Sequence, residues 1–100
     1  MNFLPPIILF ISTLFGDSKI NILHKNSLDS LNTLTKKSPE RAIRYARELL
    51  DTVVPGKDFK YEYKINNTLG EIFLDLQMYG QAMSHFTESK LIRKRLGKPN

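Results

Sequence analysis

The stretch NNTLGEIFLDLQMYGQAMSHF, residues 66–86, decides the fold of this chain. Leu69 and Phe73 are four residues apart and therefore share one face of a helix, where Gly70 has no side chain. A second helix would bring Ala82 opposite that face. Because glycine and alanine occupy little space at a contact, the spacing predicts two antiparallel helices that pack closely.

These residues resemble the tetratricopeptide repeat, in which Leu-Gly, an aromatic residue, alanine and phenylalanine recur at such spacings. The packing motif comprises Leu69, Gly70, Phe73, Tyr79, Ala82 and Phe86. Asn66 replaces the usual aromatic residue, Ser89 replaces a small apolar residue, and Lys90-Leu91 stands where the apolar residue more often comes first. The resemblance implies an all-α fold, with antiparallel helix pairs stacked as a short right-handed superhelix, or α-solenoid.

The remainder of the chain after Lys19 has no useful strand pattern and is expected to be helical. A first helix is predicted at residues 25–36, where leucines recur every three residues. Ser38 followed by Pro39 and an acidic residue marks the start of a second helix. That helix is expected to end at Pro55-Gly56, and a third helix is expected to begin near Lys57. A turn is predicted near residues 77–80, and the last helix is predicted to stop at Gly97.

The helices form two similar units. Ala42 and Ala82 occupy equivalent places, which gives a period of 40 residues, whereas the ordinary repeat has about 34. The resemblance is therefore to long-period bacterial repeats, with a first unit at about 25–54 and a second at about 57–97. In the first unit, ion pairs are expected across one helical turn at Glu40–Arg44, Arg44–Glu48 and Arg47–Asp51.

The N-terminal segment, residues 1–18, is predicted to be a signal peptide or a short anchor. Residues 3–15 are apolar except for a serine and a threonine, and Gly16-x-Ser18 offers small residues for cleavage. No basic residue precedes this run, and Pro5-Pro6 should interrupt a helix. This prediction implies either export to the periplasm or anchoring in the inner membrane. The alternative is an uncleaved segment packed on the repeats of a cytoplasmic protein.

Composition excludes several classes of function. The 100 residues are 41% hydrophobic and 25% charged, as in ordinary globular domains. There is no cysteine and therefore no disulfide or thiolate metal site. No nucleophile with a base, paired carboxylates or phosphate-binding glycine loop has a recognisable spacing. His24 and His85 lack partners for a metal site. We therefore expect a protein that is not an enzyme and has no cofactor.

A candidate peptide-binding groove follows from the stacked-pair arrangement, in which the first helix of each unit lines a concave surface. The residues of the third helix that lie off its packing stripe are Lys64, Asn67, Glu71, Leu74 and Asp75. Lys64 and Asn67 would hold a peptide backbone or a carboxylate, and Leu74 would anchor an apolar side chain. The alternative is that the charges are merely solvated and that a following repeat covers Leu74.

The predicted function is a protein-protein interaction scaffold with a protein or peptide partner, and the resemblance implies the N-terminal part of a larger exported or signalling protein. Self-association is expected through Leu91, Ile92 and Leu96, which no following helix would cover. The alternative function is a basic helical domain that binds nucleic acid, given the net charge of +5 and the basic residues at 41–47 and 93–98. No helix-turn-helix pattern or interleaved aromatic residues accompany them.

Overall fold

The computed structural model describes the backbone of residues 4–53 and 57–96 and the side chains from residue 19 onward within those ranges. The described chain is all-α, as the sequence predicts, and contains no strand. Its helices are α1 (Leu4–Lys37), α2 (Pro39–Asp51), α3 (Phe59–Asp75) and α4 (Tyr79–Arg95).

Helix α1 is longer than the sequence predicts. It begins at Leu4 and continues to Lys37, so the expected start near residue 25 is wrong. Pro5 and Pro6 do not interrupt it because they lie in the first turn, where backbone N–H groups have no partner within the helix. The predicted signal peptide or anchor comprises residues 1–18, whose side chains lie outside the described part of the chain. No helix in the described part of the chain is both long and apolar enough to span a bilayer.

Helix α2 begins where its capping residues predict. Ser38 has an extended backbone, with φ −156°, and its Oγ accepts a hydrogen bond of 3.4 Å from the backbone N–H of Arg41. Pro39 occupies the first turn. The three ion pairs expected across turns of α2 are not formed, whereas Lys25 and Asp29 of α1 do form one, at 3.2 Å. Exposed pairs of this kind gain little over hydration, which explains why their formation is not assured by spacing alone.

Helix α3 lies at the centre of the fold. It packs against α1, α2 and α4, and the α3–α4 contact is the most extensive. Asn66 contacts His85 and Tyr63 contacts Ser89. The earlier residue of α3 thus contacts the later residue of α4, which shows that the two helices are antiparallel. The buried core comprises Leu31, Ala42, Ala46, Leu49, Tyr61, Ile65, Leu69, Ile72, Phe73 and Ala82.

The turn between α3 and α4 closes the end of α3 with two backbone hydrogen bonds. The N–H of Met78 donates to the carbonyl of Phe73 at 2.8 Å, and that of Gln77 donates to Leu74 at 2.9 Å. This is the Schellman arrangement, which requires a left-handed residue after the helix. Gln77 takes that conformation, with φ 62°, at a position where glycine is usual.

The packing motif meets at Gly70. A Cβ added there would lie 2.6–2.8 Å from ring atoms of Phe86, so the missing side chain makes room for that ring. Leu69, Phe73 and Ala82 are buried beside it. Tyr79 departs from the predicted motif because it is 62% exposed. It is the first residue of α4.

The C-terminal half of α4 is better covered than the sequence predicts. Ile92 is fully buried, Leu96 is half-buried and Leu91 is 44% exposed. The expectation that all three are uncovered is therefore wrong. Helix α3 begins at Phe59 and runs beside this half of α4, as the contacts of Tyr63 with Ser89 and Arg93 show.

Candidate functional site

An open groove of about 540 Å³ lies between α1 and α3, and we call it the α1–α3 groove. Helix α1 contributes Asn21, His24, Lys25, Leu28, Asp29 and Asn32. Helix α3 contributes Lys60, Tyr61, Tyr63, Lys64, Asn67 and Thr68. On each helix these residues recur at intervals of three or four, so each helix presents one face to the groove.

An aromatic stack joins the two walls of the groove. The rings of His24 and Tyr61 are 3.8 Å apart between centroids and nearly parallel, at 5°. Tyr61 is buried, and its side chain shares a hydrogen bond with Ser27. Burial raises the pKa of the Tyr61 hydroxyl. The stack thus gives one part of the groove an aromatic wall shared by α1 and α3.

The structure divides the five residues of the predicted groove into two sets. Lys64 and Asn67 line the α1–α3 groove. Glu71, Leu74 and Asp75 do not line it and are exposed farther along α3, with Leu74 at 47% exposure. The lining of the groove reaches only as far as Thr68 of α3, so the C-terminal part of the same helical face lies outside the groove.

The groove combines amides with ammonium groups. Asn21, Asn32 and Asn67 each offer both a donor and an acceptor, as a peptide backbone requires. Lys60 and Lys64 are exposed, and Lys25, which is also exposed, is paired with Asp29. The lining thus places hydrogen-bond donors and acceptors beside positively charged groups. The sequence prediction did not include the α1 wall, because the first helix was predicted to begin near residue 25. In a helix that begins earlier, the spacing of Asn21, Leu28 and Asn32 places all three on one face.

A second polar cluster holds α4 against α3. The side-chain amide of Asn66 donates to the carbonyl of Glu62 at 3.1 Å, so its Oδ1 accepts from Nδ1 of His85 at 2.9 Å. His85 also stacks on Phe73, with centroids 5.5 Å apart, and the guanidinium of Arg47 lies 5.9 Å from the centroid of the same ring. Burial and, to a lesser extent, Arg47 lower the pKa of His85.

The two polar departures from the repeat pattern are thus hydrogen-bonded. Asn66 is 4% exposed and Ser89 is 3% exposed. The hydroxyl of Ser89 donates to the carbonyl of Tyr63 at 3.2 Å. A buried polar group is costly only when it is left without a partner, so both residues are compatible with close packing. Both join α3 to α4 and have a structural role.

Two basic residues of α2 differ in their surroundings. Arg41 lines a more open depression between α1 and α2, of about 590 Å³, together with Lys37 and Tyr45. Arg47 lies over Phe73.

Comparisons of the chain with models of protein families, with curated proteins and with solved structures found no match. The α1–α3 groove brings together polar groups from two helices.

Proposed function

We propose that this chain is a non-enzymatic protein-protein interaction scaffold, built from tetratricopeptide-like helix pairs, that binds an extended peptide in the α1–α3 groove. The observation that carries the proposal is the lining of that groove by amides and an exposed ammonium group. The polar groups come from two helices that would be the first members of successive pairs.

The helix contacts support the repeat interpretation. Each helix packs on the next one, and α1 also packs on α3. First helices of neighbouring pairs lie side by side in stacked repeats and line the concave surface. The stack of His24 on Tyr61 is such a contact between α1 and α3.

The lining also favours a class of ligand. An asparagine amide can donate to a peptide carbonyl and accept from a peptide N–H, so Asn21, Asn32 and Asn67 are suited to hydrogen bonds with a peptide backbone. The ammonium group of Lys64 favours a carboxylate near the α3 wall. An acidic peptide in extended conformation matches both features.

A displayed library of random peptides tests this proposal. We expect the selected peptides to bind the wild-type chain and to lose at least tenfold in affinity, measured by fluorescence anisotropy, in the variants Asn67→Ala and Lys64→Ala. Glu71→Ala is the matched control, because Glu71 is exposed on the same helix but outside the groove. Circular dichroism should show that all three variants remain folded.

Selected peptides that bind the groove variants and the wild type equally well would refute the assignment of the site. If no selected peptide bound more tightly than a peptide of the same composition in scrambled order, the scaffold function itself would be contradicted.

A further inference from the structure

Tyr63 belongs to the α1–α3 groove and is held in place by α4. It lines the groove, and its side chain is half-buried. Its backbone carbonyl accepts a hydrogen bond of 3.2 Å from the hydroxyl of Ser89, and its own hydroxyl accepts one of 3.2 Å from Nη1 of Arg93. Two residues of α4, neither of which lines the groove, thus fix both the backbone and the side chain of a groove residue.

The guanidinium group of Arg93 also packs on the ring of Tyr63. Its central carbon lies 5.4 Å from the ring centroid, within the range of a cation–π contact. Nε of Arg93 is buried, so the side chain lies against the protein rather than extending into solvent. A planar guanidinium that approaches the ring and also donates to the hydroxyl leaves the tyrosine side chain few alternative positions. The place of the Tyr63 hydroxyl is therefore defined before a ligand binds.

The hydrogen bond between Arg93 and Tyr63 leaves the proton of the tyrosine hydroxyl available. A guanidinium has only donors, whereas a phenol hydroxyl can both donate and accept. Arg93 is therefore the donor in this bond, and the O–H of Tyr63 keeps its own proton for another acceptor. A hydrogen bond received from a cation also polarises the O–H group, which makes it a stronger donor.

We propose that the Tyr63 hydroxyl donates to a carboxylate of the bound peptide and that Arg93 positions it for this bond. The role given to Tyr63 rests on the proposed peptide-binding function and names a group that selects an acidic ligand. Lys60 lies three residues before Tyr63 and lines the same groove, so a second positive charge is close to the hydroxyl. Positive charges from α3 and α4 favour a carboxylate over a neutral carbonyl. Asp29, which also lines the groove, is paired with Lys25 at 3.2 Å, and its charge therefore opposes the ligand less.

Peptides selected on the wild-type chain test this assignment. We expect Tyr63→Phe, which removes only the hydroxyl, to lower their affinity about tenfold, the size expected for a hydrogen bond to a charged group. Arg93→Leu should have a similar effect, because leucine keeps an apolar side chain against the ring and lacks the guanidinium. Lys94→Leu is the matched control. Lys94 is the exposed neighbour of Arg93 on α4, so its replacement removes the same charge and should leave the affinity nearly unchanged.

A double-mutant cycle distinguishes positioning from a general effect on stability. Because Arg93 acts through the hydroxyl, Arg93→Leu should have little further effect on affinity in the Tyr63→Phe background. Exchange of one acidic residue of the peptide for its amide should weaken binding to the wild type, and that loss should be much smaller in Tyr63→Phe. A purely structural role of Tyr63 would lower the melting temperature without changing this preference for acid over amide.

The outcomes also separate this assignment from the function on which it rests. Peptide binding that Lys64→Ala weakens, but that Tyr63→Phe leaves unchanged, would overturn the role of Tyr63 and leave the groove as the binding site. Additive effects of Tyr63→Phe and Arg93→Leu, or an undiminished preference for acid over amide in Tyr63→Phe, would overturn it as well. Binding that none of these variants weakens would overturn both proposals. Tyr63→Phe decides the question by itself where circular dichroism shows that Arg93→Leu is unfolded.

Discussion

Replacing Gly70 with alanine should destabilise the fold even though alanine is the better helix former. In a helix interior, alanine is favoured over glycine by up to about 1 kcal/mol. At Gly70, however, the new Cβ would lie 2.6 Å from the nearest ring carbon of Phe86. The ring would have to move by roughly 0.8 Å to reach an ordinary contact of 3.4 Å. Overpacking of this kind costs about 1–3 kcal/mol.

Gly80→Ala is the matched control, because a Cβ added at Gly80 meets nothing within 4 Å and the residue is also helical. The free energy of unfolding should therefore be about 1–3 kcal/mol lower in Gly70→Ala than in Gly80→Ala. In a domain of this size, that difference corresponds to melting temperatures separated by between about 4 and 24 °C. Thermal and urea unfolding followed by circular dichroism would measure it.

The double variant with Phe86→Leu identifies the cause. A smaller side chain at position 86 should remove most of the penalty of Gly70→Ala, which would appear as a favourable coupling energy in a double-mutant cycle. Equal stabilities of Gly70→Ala and Gly80→Ala, or a penalty that Phe86→Leu leaves unchanged, would refute close packing of the two helices at Gly70.

Two further predictions concern the α3–α4 pair. Gln77→Gly should stabilise the fold by about 0.5–1 kcal/mol in urea unfolding, because Gln77 has a positive φ that glycine adopts without strain; no change, or destabilisation, would argue against the left-handed turn. Stability should also decrease as the pH falls below 6.5, the ordinary pKa of histidine, because burial lowers the pKa of His85 in the folded state and the unfolded chain then binds more protons. The decrease should be complete below the folded pKa and should be smaller in His85→Gln, so identical pH profiles of the two proteins would contradict this assignment.

The groove shows how far residue spacing alone leads. The positions of Lys64 and Asn67 on one face of α3 follow from helical periodicity, which is a local property. That Asn21 and His24 form the opposite wall depends on the meeting of α1 with α3, between residues far apart in the sequence. Glu71 and Leu74 share the periodic face of Lys64 and yet lie outside the groove, because periodicity specifies a face but not how much of it a neighbouring helix covers.

The sequence by itself determined the helical class, the start of α2 at Ser38-Pro39 and the close approach at Gly70. Caps, helical spacing and a missing side chain act within a few residues, so a linear reading detects them. Only the tertiary structure decided that Asn66 is hydrogen-bonded to His85, that Ile92 is buried and that Tyr79 is exposed. Those outcomes depend on how far one helix extends along another, which is set by contacts between distant parts of the chain.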